Sequence, residues 1–415
     1  MREHTAIVVL GTFDSKPEEH LFLKKCIEKR GLRTLTINVG AKAPSPFQAD
    51  IDLFAEISQN GNTDSMSRDE VIQNILYRAQ ELIRELHEKG NICGIISAGG
   101  GSGTHLCTGI MHKLPLGVPK VMVSTVASRN MAKIVGTKDI TMVHSVVDLL
   151  GVNSISGMIL DKAAAAVCGM SKSQWNPPEH GKRIALTFFG FITKAAEGIR
   201  KSLEEMGYEV IAFHANGTGG MAMEELAAEG YFNGILDLAT HELADALMNG
   251  YCGGIGPERF NPIPGKELPR LIVPGGLDCA VLEFTRHSIP NEFKNRKIFF
   301  YDFRSAIRLS TDESLLLAKQ LSEKLNRDTA NIQVLIPSRG WSEADRENGP
   351  LHDPAVSEAF IQRLKQGLNP RIEVQEVNHH INDAPFARIA SSIMDEMIRA
   401  KTVQGFKVQS SKFNC

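Results

Sequence analysis

The sequence has neither an excess of charge of one sign nor a long apolar run. Its 46 lysines and arginines nearly balance its 48 aspartates and glutamates, which removes the electrostatic argument for a nucleic-acid partner or an anionic membrane surface. No apolar run approaches the roughly 20 residues that a membrane-spanning helix requires. We therefore expect no nucleic-acid partner and no association with a membrane.

Paired cysteine motifs are also missing. The seven cysteines are scattered, odd in number and without a C-x-x-C spacing, and most lie in apolar contexts that are typical of small buried thiols. No signal peptide precedes the first predicted strand. These features predict a cytoplasmic protein in a reducing compartment.

Several common catalytic and binding signatures are absent as well. The segment GGGSGT (99–104) lacks the Gly-Lys-Ser/Thr of a phosphate-binding P-loop and fails the last position of the dinucleotide fingerprint. No serine elbow is evident. The zinc motif H-E-x-x-H is missing because His241-Glu242 continues Leu-Ala-Asp, and the pair His379-His380 lacks a helical ligand spacing. We assign no metal ligand from the sequence.

Strand and helix signals alternate along almost the whole chain. Apolar strand patterns such as TAIVVLGTF (5–13) are followed by amphipathic helix patterns such as PEEHLFLKKCIEKRG (17–31), and this alternation predicts βαβ units with parallel sheets. A polar, proline-rich stretch at 171–182 interrupts it and is interpreted as a linker. The predicted fold is α/β, with two open, mostly parallel, Rossmann-like domains at 1–176 and 183–404 and a tail at 405–415.

Loops that follow strands in the first half form the candidate binding site, because open parallel sheets bind ligands beyond the carboxyl ends of their strands. The glycine-rich loop at 99–104 lies between a strand and a helix, where free N–H groups and the helix dipole favour a phosphate. A tight turn that only packs the helix against its strand is the alternative. The candidate cofactor-binding residues are Gly11, Thr12, Asp14, Lys16, Gly99, Gly100, Gly101, Ser102, Gly103, Thr104, Ser124, Thr125 and Ser128.

The loop at 11–16 has two interpretations. Ser15-x-x-Glu18 is a capping box that does no more than begin a helix. Alternatively, Lys16 contacts a phosphate, and Asp14 binds a ribose hydroxyl or Mg²⁺. The hydroxyl-rich loop at 124–128 likewise either contacts the ligand or caps a helix.

The second half contains candidate acid/base residues near predicted strand ends. His214, His380 and Asp278 are the candidate catalytic residues. A G-x-G-x-x-A segment at 217–222, with Asp237 at a fitting separation, matches the dinucleotide fingerprint but follows the second strand of its domain, where the fingerprint belongs after the first. A phosphate- or carboxylate-binding turn is the alternative there.

Six segments carry a resemblance to a known family. They are, in order, GTFDSK, GGGSGTHL, LPLGVPKVMVSTVAS, FHANGTGGMAMEEL, DLATHELAD and HINDAPFA. They are similar to the ATP-binding domain of the plant protein that confers resistance to tomato mosaic virus, and to its bacterial and fungal relatives. The resemblance spans residues 5–395.

The resemblance implies a two-domain, homodimeric α/β protein with ATP on its first domain, among the loops at 11–16, 99–104 and 124–128. The expected function is ATP binding, with or without Mg²⁺, coupled to catalysis on a small anionic metabolite at an interdomain cleft. A nucleotide-dependent binding or regulatory module and a nicotinamide-dependent oxidoreductase are the alternatives. Lys194 departs from the family pattern and either adds an anion contact or fills space.

Overall fold

Each half of the chain builds a six-stranded sheet in which every strand pair is parallel. The computed structural model describes residues 5–60, 66–175 and 181–412 and divides the chain into two units, 1–176 and 177–415. The predicted α/β fold with two parallel, Rossmann-like sheets is confirmed. Residues 176–180 of the predicted linker lie outside the described residues.

The first unit has the sheet order β3-β2-β1-β4-β5-β6. Its strands are β1 (Ala6–Gly11), β2 (Thr34–Asn38), β3 (Ile51–Asp52), β4 (Ile92–Gly99), β5 (Lys120–Ser124) and β6 (Ile140–His144). Its helices are α1 (Pro17–Lys29), α2 (Leu53–Asn60), α3 (Arg68–Glu88), α4 (Gly101–Met111), α5 (Ala132–Val135) and α6 (Ser154–Lys172).

The packing of β1 shows that helices cover both faces of the first sheet. All six of its residues are buried, and side chains alternate between the two faces of a strand. Ile7 and Val9 pack with residues of α1 and α6 on one face, whereas Val8 and Leu10 pack with residues of α3 and α4 on the other. Burial on both faces is typical of parallel strands covered by helices.

The second unit has the sheet order β15-β14-β10-β9-β7-β8. The strands of this sheet are β7 (Arg183–Phe188), β8 (Glu209–His214), β9 (Gly234–Ala239), β10 (Arg270–Gly275), β14 (Ile332–Pro337) and β15 (Glu373–Val377). The helices are α7 (Thr193–Glu205), α8 (Thr218–Glu229), α9 (Glu242–Met248), α10 (Thr311–Leu325), α11 (Pro354–Gly367) and α12 (Ala384–Lys412).

A small antiparallel sheet is inserted between β10 and α10. It consists of β11 (Cys279–Leu282), β12 (Ile298–Phe300) and β13 (Ser305–Arg308), in the order β11-β13-β12. The sequence analysis missed two of these strands because they have only four residues each, too few for a clear alternation of apolar and polar positions.

Helix boundaries follow local chemistry at several places. Ser67 caps α3 in a capping box with Glu70, and Asp353 caps α11 ahead of a proline at its first turn. Helix α12 continues to Lys412, past residue 404, where the sequence analysis ends the second domain. None of the helices in the described ranges is long and apolar enough to cross a membrane.

Candidate functional site

The carboxyl edge of the first sheet contains a cleft of about 660 Å³. The sheet order changes direction between β1 and β4, and ligands of open α/β sheets bind at such a switch point. The loop after β1 lines the cleft through Thr12, Asp14, Ser15 and Lys16, and the loop after β4 lines it through Gly100–Gly103. The structure therefore brings two of the three candidate loops to one cleft.

The glycine loop, Gly99–Thr104, leaves four backbone amides free. Gly100 is the N-cap of α4 and has no side chain that could cap it. The N–H groups of Gly100, Gly101, Ser102 and Gly103 donate to no acceptor within the part of the chain that the structure describes. Because these amides lie at the positive end of the helix dipole, they favour an anion.

Two glycines of this loop have different steric roles. A Cβ on Gly101 would meet no atom within 4 Å, whereas a Cβ on Gly99 would lie 3.2 Å from the backbone of Gly103. Gly99 thus permits the tight turn from strand to helix. Gly101 leaves open space beside the free amides, so the tight turn depends on Gly99, and the open space lies at Gly101.

The loop after β1 does not form the predicted capping box. Helix α1 begins at Pro17, and its N-cap, Lys16, makes no side-chain cap. The Ser15 hydroxyl instead donates to Thr12 Oγ1 at 2.8 Å and to the Thr12 carbonyl at 3.1 Å. A Cβ on Gly103 would lie 3.8 Å from Thr12 Oγ1, which shows how closely the two loops approach each other.

The two charged candidates of this loop line the cleft but also contact the protein. Asp14 Oδ2 accepts a hydrogen bond from the Lys42 amide at 2.9 Å. The Lys16 ammonium donates to the Leu149 carbonyl. Asp14 keeps its second carboxylate oxygen for a ligand, whereas Lys16 would have to share its donors.

A buried histidine lies beneath both loops and was missed by the sequence analysis. The His20 Nδ1–H donates to the Lys16 carbonyl at 2.6 Å, and Nε2 accepts from the Ala98 amide at 3.4 Å. Complete burial lowers its pKa to about 4, so the ring is neutral. A Cβ on Gly11 would lie 1.9 Å from Nε2; Gly11 is therefore needed for packing against His20.

Asn38, at the end of β2, anchors the same loop from the other side. Its Oδ1 accepts hydrogen bonds from the amides of Phe13 and Gly40, both at 2.9 Å, and its Nδ2 donates to Asp52 at 3.0 Å. Asn38 is fully buried. Such buried, fully paired polar side chains give a loop one defined conformation.

The third candidate loop, after β5, braces the glycine loop and does not line the cleft. The hydroxyls of Ser124 and Thr104 are fully buried and lie 2.7 Å apart. The Thr125 amide donates to the Gly99 carbonyl at 3.2 Å. Ser128 is exposed and lies outside the residues that line the cleft.

Two cations that the sequence analysis missed also line the cleft. Lys42 and Arg68 are exposed, and neither side chain makes a hydrogen bond or an ion pair with any residue in the described ranges. Lys42 follows the carboxyl end of β2, so the strand-end rule could have identified it. Arg68 begins α3, and nothing in the local sequence links it to β1 or β4.

Part of the lining of the cleft is apolar. Val39, Ile72, Leu76 and Leu106 line it, and all four also belong to or pack against the core between the sheet and α3. The cleft therefore combines a cationic, amide-lined end with an apolar wall, the mixture typical of small-molecule sites.

The three catalytic candidates of the second unit do not converge. His380 Nε2–H donates to the Ser342 carbonyl at 2.9 Å, and the Ser342 hydroxyl donates to Asp278 Oδ2 at 2.7 Å. His214 ends the edge strand β8 and is exposed. No hydrogen bond among the described residues connects it to this pair.

The environment of His380 uses both of its ring nitrogens. Its Nδ1 accepts from the Asn382 amide at 3.1 Å and lies 3.1 Å from Arg346 Nη2. Burial lowers the pKa of His380, and burial raises the pKa of the Asp278 carboxyl. A catalytic role for either residue would require a substrate to displace an existing contact.

A second cleft, of about 640 Å³, lies beside the start of α12. Lys194, Arg346 and His379 line it together with the acidic residues Glu343 and Asp383. Arg346 is 3.4 Å from Asp383. Lys194 is exposed and has no ionic partner in the described part of the chain, so it is the cation of this cleft that is available to an anion.

The dinucleotide-like segment at 217–222 lies over a buried ionic cluster. Asp237 is fully buried on β9 and pairs with Arg259 at 2.6 Å and with Arg270 at 2.8 Å. Its carboxylate therefore has no path to a ribose hydroxyl. Arg259 also pairs with Glu224 and Glu242, both at 2.9 Å, so these five side chains form one network.

Two family models match the chain. The N-terminal domain of the uncharacterised protein family UPF0261 matches residues 5–176, and its C-terminal domain matches residues 181–398. A UPF0261 protein of Clostridium tetani is 36% identical over 390 residues, covering 92% of this chain and 96% of that protein. A UPF0261 protein of Rhizobium meliloti is 33% identical over 394 residues, covering 92% and 97%.

A plant protein is also similar. The ToMV resistance protein Tm-1(GCR237) of Solanum lycopersicum is 35% identical over 310 residues, which cover 72% of this chain and 41% of that protein. The family resemblance inferred from the six sequence segments is confirmed.

Proposed function

The chain belongs to the uncharacterised protein family UPF0261, and we propose that its first unit binds ATP, with the phosphates on the amides of the glycine loop. The observation that carries this proposal is the set of four free N–H groups at Gly100–Gly103 beside a cleft at the switch point of the sheet. Free amides at a helix N-terminus are the usual phosphate donors of α/β proteins.

The charge around the cleft supports a polyanion. Lys42 and Arg68 contribute two positive charges that have no ionic partner among the described residues, and Lys16 lines the same cleft. Asp14 is the carboxylate among the lining residues, and its free oxygen could bind Mg²⁺ or a ribose hydroxyl. The apolar wall at Val39 and Leu76 suits a flat aromatic base, so a nucleotide matches the cleft better than free phosphate does.

Titration calorimetry with ATP, ADP and adenosine, each with and without Mg²⁺, tests this proposal. We expect saturable binding in the order ATP, ADP, adenosine, because each lost phosphate removes contacts with amides and cations. Gly101→Val should weaken ATP binding at least tenfold, since it places a branched side chain beside the amides.

Gly169→Val is the matched control. Gly169 is an exposed glycine of α6 at which an added Cβ also meets nothing within 4 Å, so this variant should bind ATP as the unmodified chain does. Absence of saturable ATP binding, or equal affinities of Gly101→Val and Gly169→Val, would contradict the proposal.

For the second unit, the proposal is a site for a small anionic metabolite. The unpaired Lys194 and the guanidinium of Arg346 line its 640 Å³ cleft and support this assignment. A thermal-shift screen with phosphate and short carboxylates should reveal a ligand that stabilises the protein. Lys194→Ala should abolish that shift, whereas Lys201→Ala, on the same helix but outside the cleft, should preserve it.

The two alternatives, an enzyme and a regulatory module, differ in whether bound ATP is consumed. Consumption of ATP that depends on the metabolite and on Lys194 supports an enzyme. Bound ATP that is never consumed but alters sensitivity to proteases supports a nucleotide-dependent module. A fluorescence titration with NADH tests the oxidoreductase alternative, against which the burial of Asp237 weighs.

A cytoplasmic homodimer completes the proposal. Four apolar side chains, Val146, Leu150, Ile155 and Met158, are exposed on the first unit, and exposed apolar patches are typical of protein interfaces. Sedimentation velocity should show a dimer that Leu150→Asp converts to a monomer. A monomeric unmodified chain would contradict this part of the proposal.

A further inference from the structure

A histidine, a carboxylate and a thiol meet at the carboxyl edge of the second sheet. His241 immediately precedes α9, Asp245 lies one helical turn later, and Cys252 follows in the next loop. One ligand atom from each of these residues lies within 4.8 Å of the other two. His241 is 1%, Asp245 0% and Cys252 4% exposed.

The polar atoms of this cluster lack partners. Neither ring nitrogen of His241 nor Oδ2 of Asp245 has a hydrogen bond in the described ranges, and the 3.7 Å between Nε2 and Oδ2 is too long for one. A buried polar group without a hydrogen bond destabilises the folded protein. A cation bound by these lone pairs would remove that destabilisation for both residues.

The surroundings orient the three side chains. Asp245 Oδ1 accepts from the Val281 amide at 2.6 Å, which directs Oδ2 to the histidine. The Phe189 ring stacks on His241, with centroids 3.9 Å apart. A Cβ on Gly250 would lie 2.1 Å from Asp245 Oδ1, so this glycine lets the loop that carries Cys252 close over the carboxylate.

The place in the fold also favours a ligand. The order of the second sheet reverses between β7 and β9, and this is the position at which open α/β sheets bind ligands. Phe189 follows β7, and His241 follows β9. The cluster therefore lies at the switch point of the second sheet, as the glycine loop does in the first.

We propose that His241, Asp245 and Cys252 form a Zn²⁺ site. Imidazole, carboxylate and thiolate are zinc ligands with bonds of about 2.0–2.3 Å, which place tetrahedral ligand atoms about 3.3–3.8 Å apart. The 3.7 Å between Nε2 and Oδ2 is a few tenths of an ångström longer than the about 3.3–3.5 Å that these bonds give for a nitrogen and an oxygen ligand, a difference that a small side-chain rotation removes. A thiolate with an imidazole selects zinc over Mg²⁺ and Ca²⁺. On binding, the protons held by the thiol and by the carboxyl leave to solvent, and water or a small ligand occupies the fourth position.

No zinc motif marks these residues in the sequence, because H-E-x-x-H requires a second histidine where Asp245 stands. His241 and Asp245 have the i, i+4 spacing that places two side chains on one helix face. The contribution of Cys252 depends on the turn at 249–251, which no metal motif describes. The site is independent of the ATP proposal, because its residues belong to the other unit.

Metal analysis of the full chain tests this site. After removal of metal with a chelator, reloading with Zn²⁺ and dialysis, elemental analysis should find one Zn²⁺ per chain. Cys252→Ala should retain no Zn²⁺ after dialysis. Its affinity for Zn²⁺ should fall by more than the 10–100-fold that is typical when a contact outside the metal's own ligands is lost. Cys168→Ala, which removes a buried thiol of the first unit, should retain it.

Cobalt substitution gives a second, spectroscopic readout of the same site. Co²⁺ bound to Cys252 should produce a thiolate charge-transfer band in the near ultraviolet and tetrahedral d–d bands in the visible. His241→Gln should remove both sets of bands, with circular dichroism as the check on folding. Retention of one Zn²⁺ by Cys252→Ala, or Co²⁺ binding without a charge-transfer band, would overturn the proposal.

Discussion

The carboxyl edges of the two parallel sheets are built in opposite ways. In the first unit, the amides of Gly100–Gly103 and the cations Lys42 and Arg68 surround an open cleft and have no partner within the ranges that the structure describes. In the second unit, the largest charge cluster is buried, with Arg259 fully enclosed among Asp237, Glu224 and Glu242.

The difference has an energetic reason. Free amides and exposed cations are solvated by water, so they cost little until a ligand replaces that water. Buried charges must instead satisfy one another, because desolvation of an unpaired ion costs several kcal/mol. The first edge is therefore suited to exchange an anionic ligand, whereas much of the second edge is committed to internal contacts.

Substitution of Arg259 should produce the largest loss in the free energy of unfolding. Arg259→Met leaves three buried carboxylates with only Arg270 to pair with, and loss of one partner of a buried ion pair costs about 3–5 kcal/mol. Urea unfolding followed by the fluorescence of the buried Trp341 reports on the second unit. Arg339→Met, at an exposed arginine, should change the midpoint little. Equal urea midpoints for the two variants would contradict the inference that buried ion pairs stabilise the second unit.

Acid should weaken the first unit through His20. Its folded pKa of about 4 lies below the ordinary 6.5, so between these values the unfolded chain binds a proton that the folded chain does not. Stability is therefore lost as the pH falls from 6.5 to 4, by roughly 3 kcal/mol. Hydrogen exchange of the β1 amides, corrected for intrinsic rates, should show this loss.

The matched variants for this prediction are two histidine substitutions. His20→Gln should reduce the acid sensitivity of β1, because it removes the titrating group. His105→Gln changes an exposed histidine of the same unit and should leave that sensitivity unchanged. The same acid sensitivity in His20→Gln as in the unmodified chain would show that other groups cause it.

One substitution made in both units sharpens the comparison. A Cβ on Gly220 would lie 2.3 Å from Glu242 Oε2 and 2.7 Å from Arg259 Nε, so Gly220→Ala should destabilise the second unit by about 1–3 kcal/mol. Gly101→Ala adds its Cβ to open space and should change stability by less than about 1 kcal/mol, toward stabilisation. Thermal melts of both variants test this prediction. A larger fall in melting temperature for Gly101→Ala than for Gly220→Ala would contradict it.

The smallest expected effects are those of single cations at the first cleft. Lys42→Ala or Arg68→Ala should each weaken ATP binding by about 1 kcal/mol, or roughly fivefold, and the loss should shrink at high salt because the charges are exposed. Lys29→Ala also removes one positive charge, but Lys29 lies about 20 Å along α1 from Lys16. This variant should have almost no effect on ATP binding. Calorimetry at two salt concentrations distinguishes these outcomes.

Much of the fold could be predicted from local patterns. The buried run of β1 and the amphipathic repeat of α1 indicate their structures within about ten residues, and the capping box of Ser67 gave the start of α3. The box proposed at Ser15 was wrong because Lys16, one residue later, is the N-cap of α1, and the Ser15 hydroxyl bonds to Thr12 instead. The short strands β11 and β13 carry no such pattern and pair only with each other and β12.

The sequence by itself determined that two parallel α/β sheets form and that glycine-rich loops follow their strands, because alternation of apolar residues and turn chemistry act over a few neighbouring positions. Only the tertiary structure decided which loops meet. Lys42 and Arg68 join the glycine loop, His20 lies under Gly11, and Cys252 approaches His241, because strand order and packing join segments far apart in the chain.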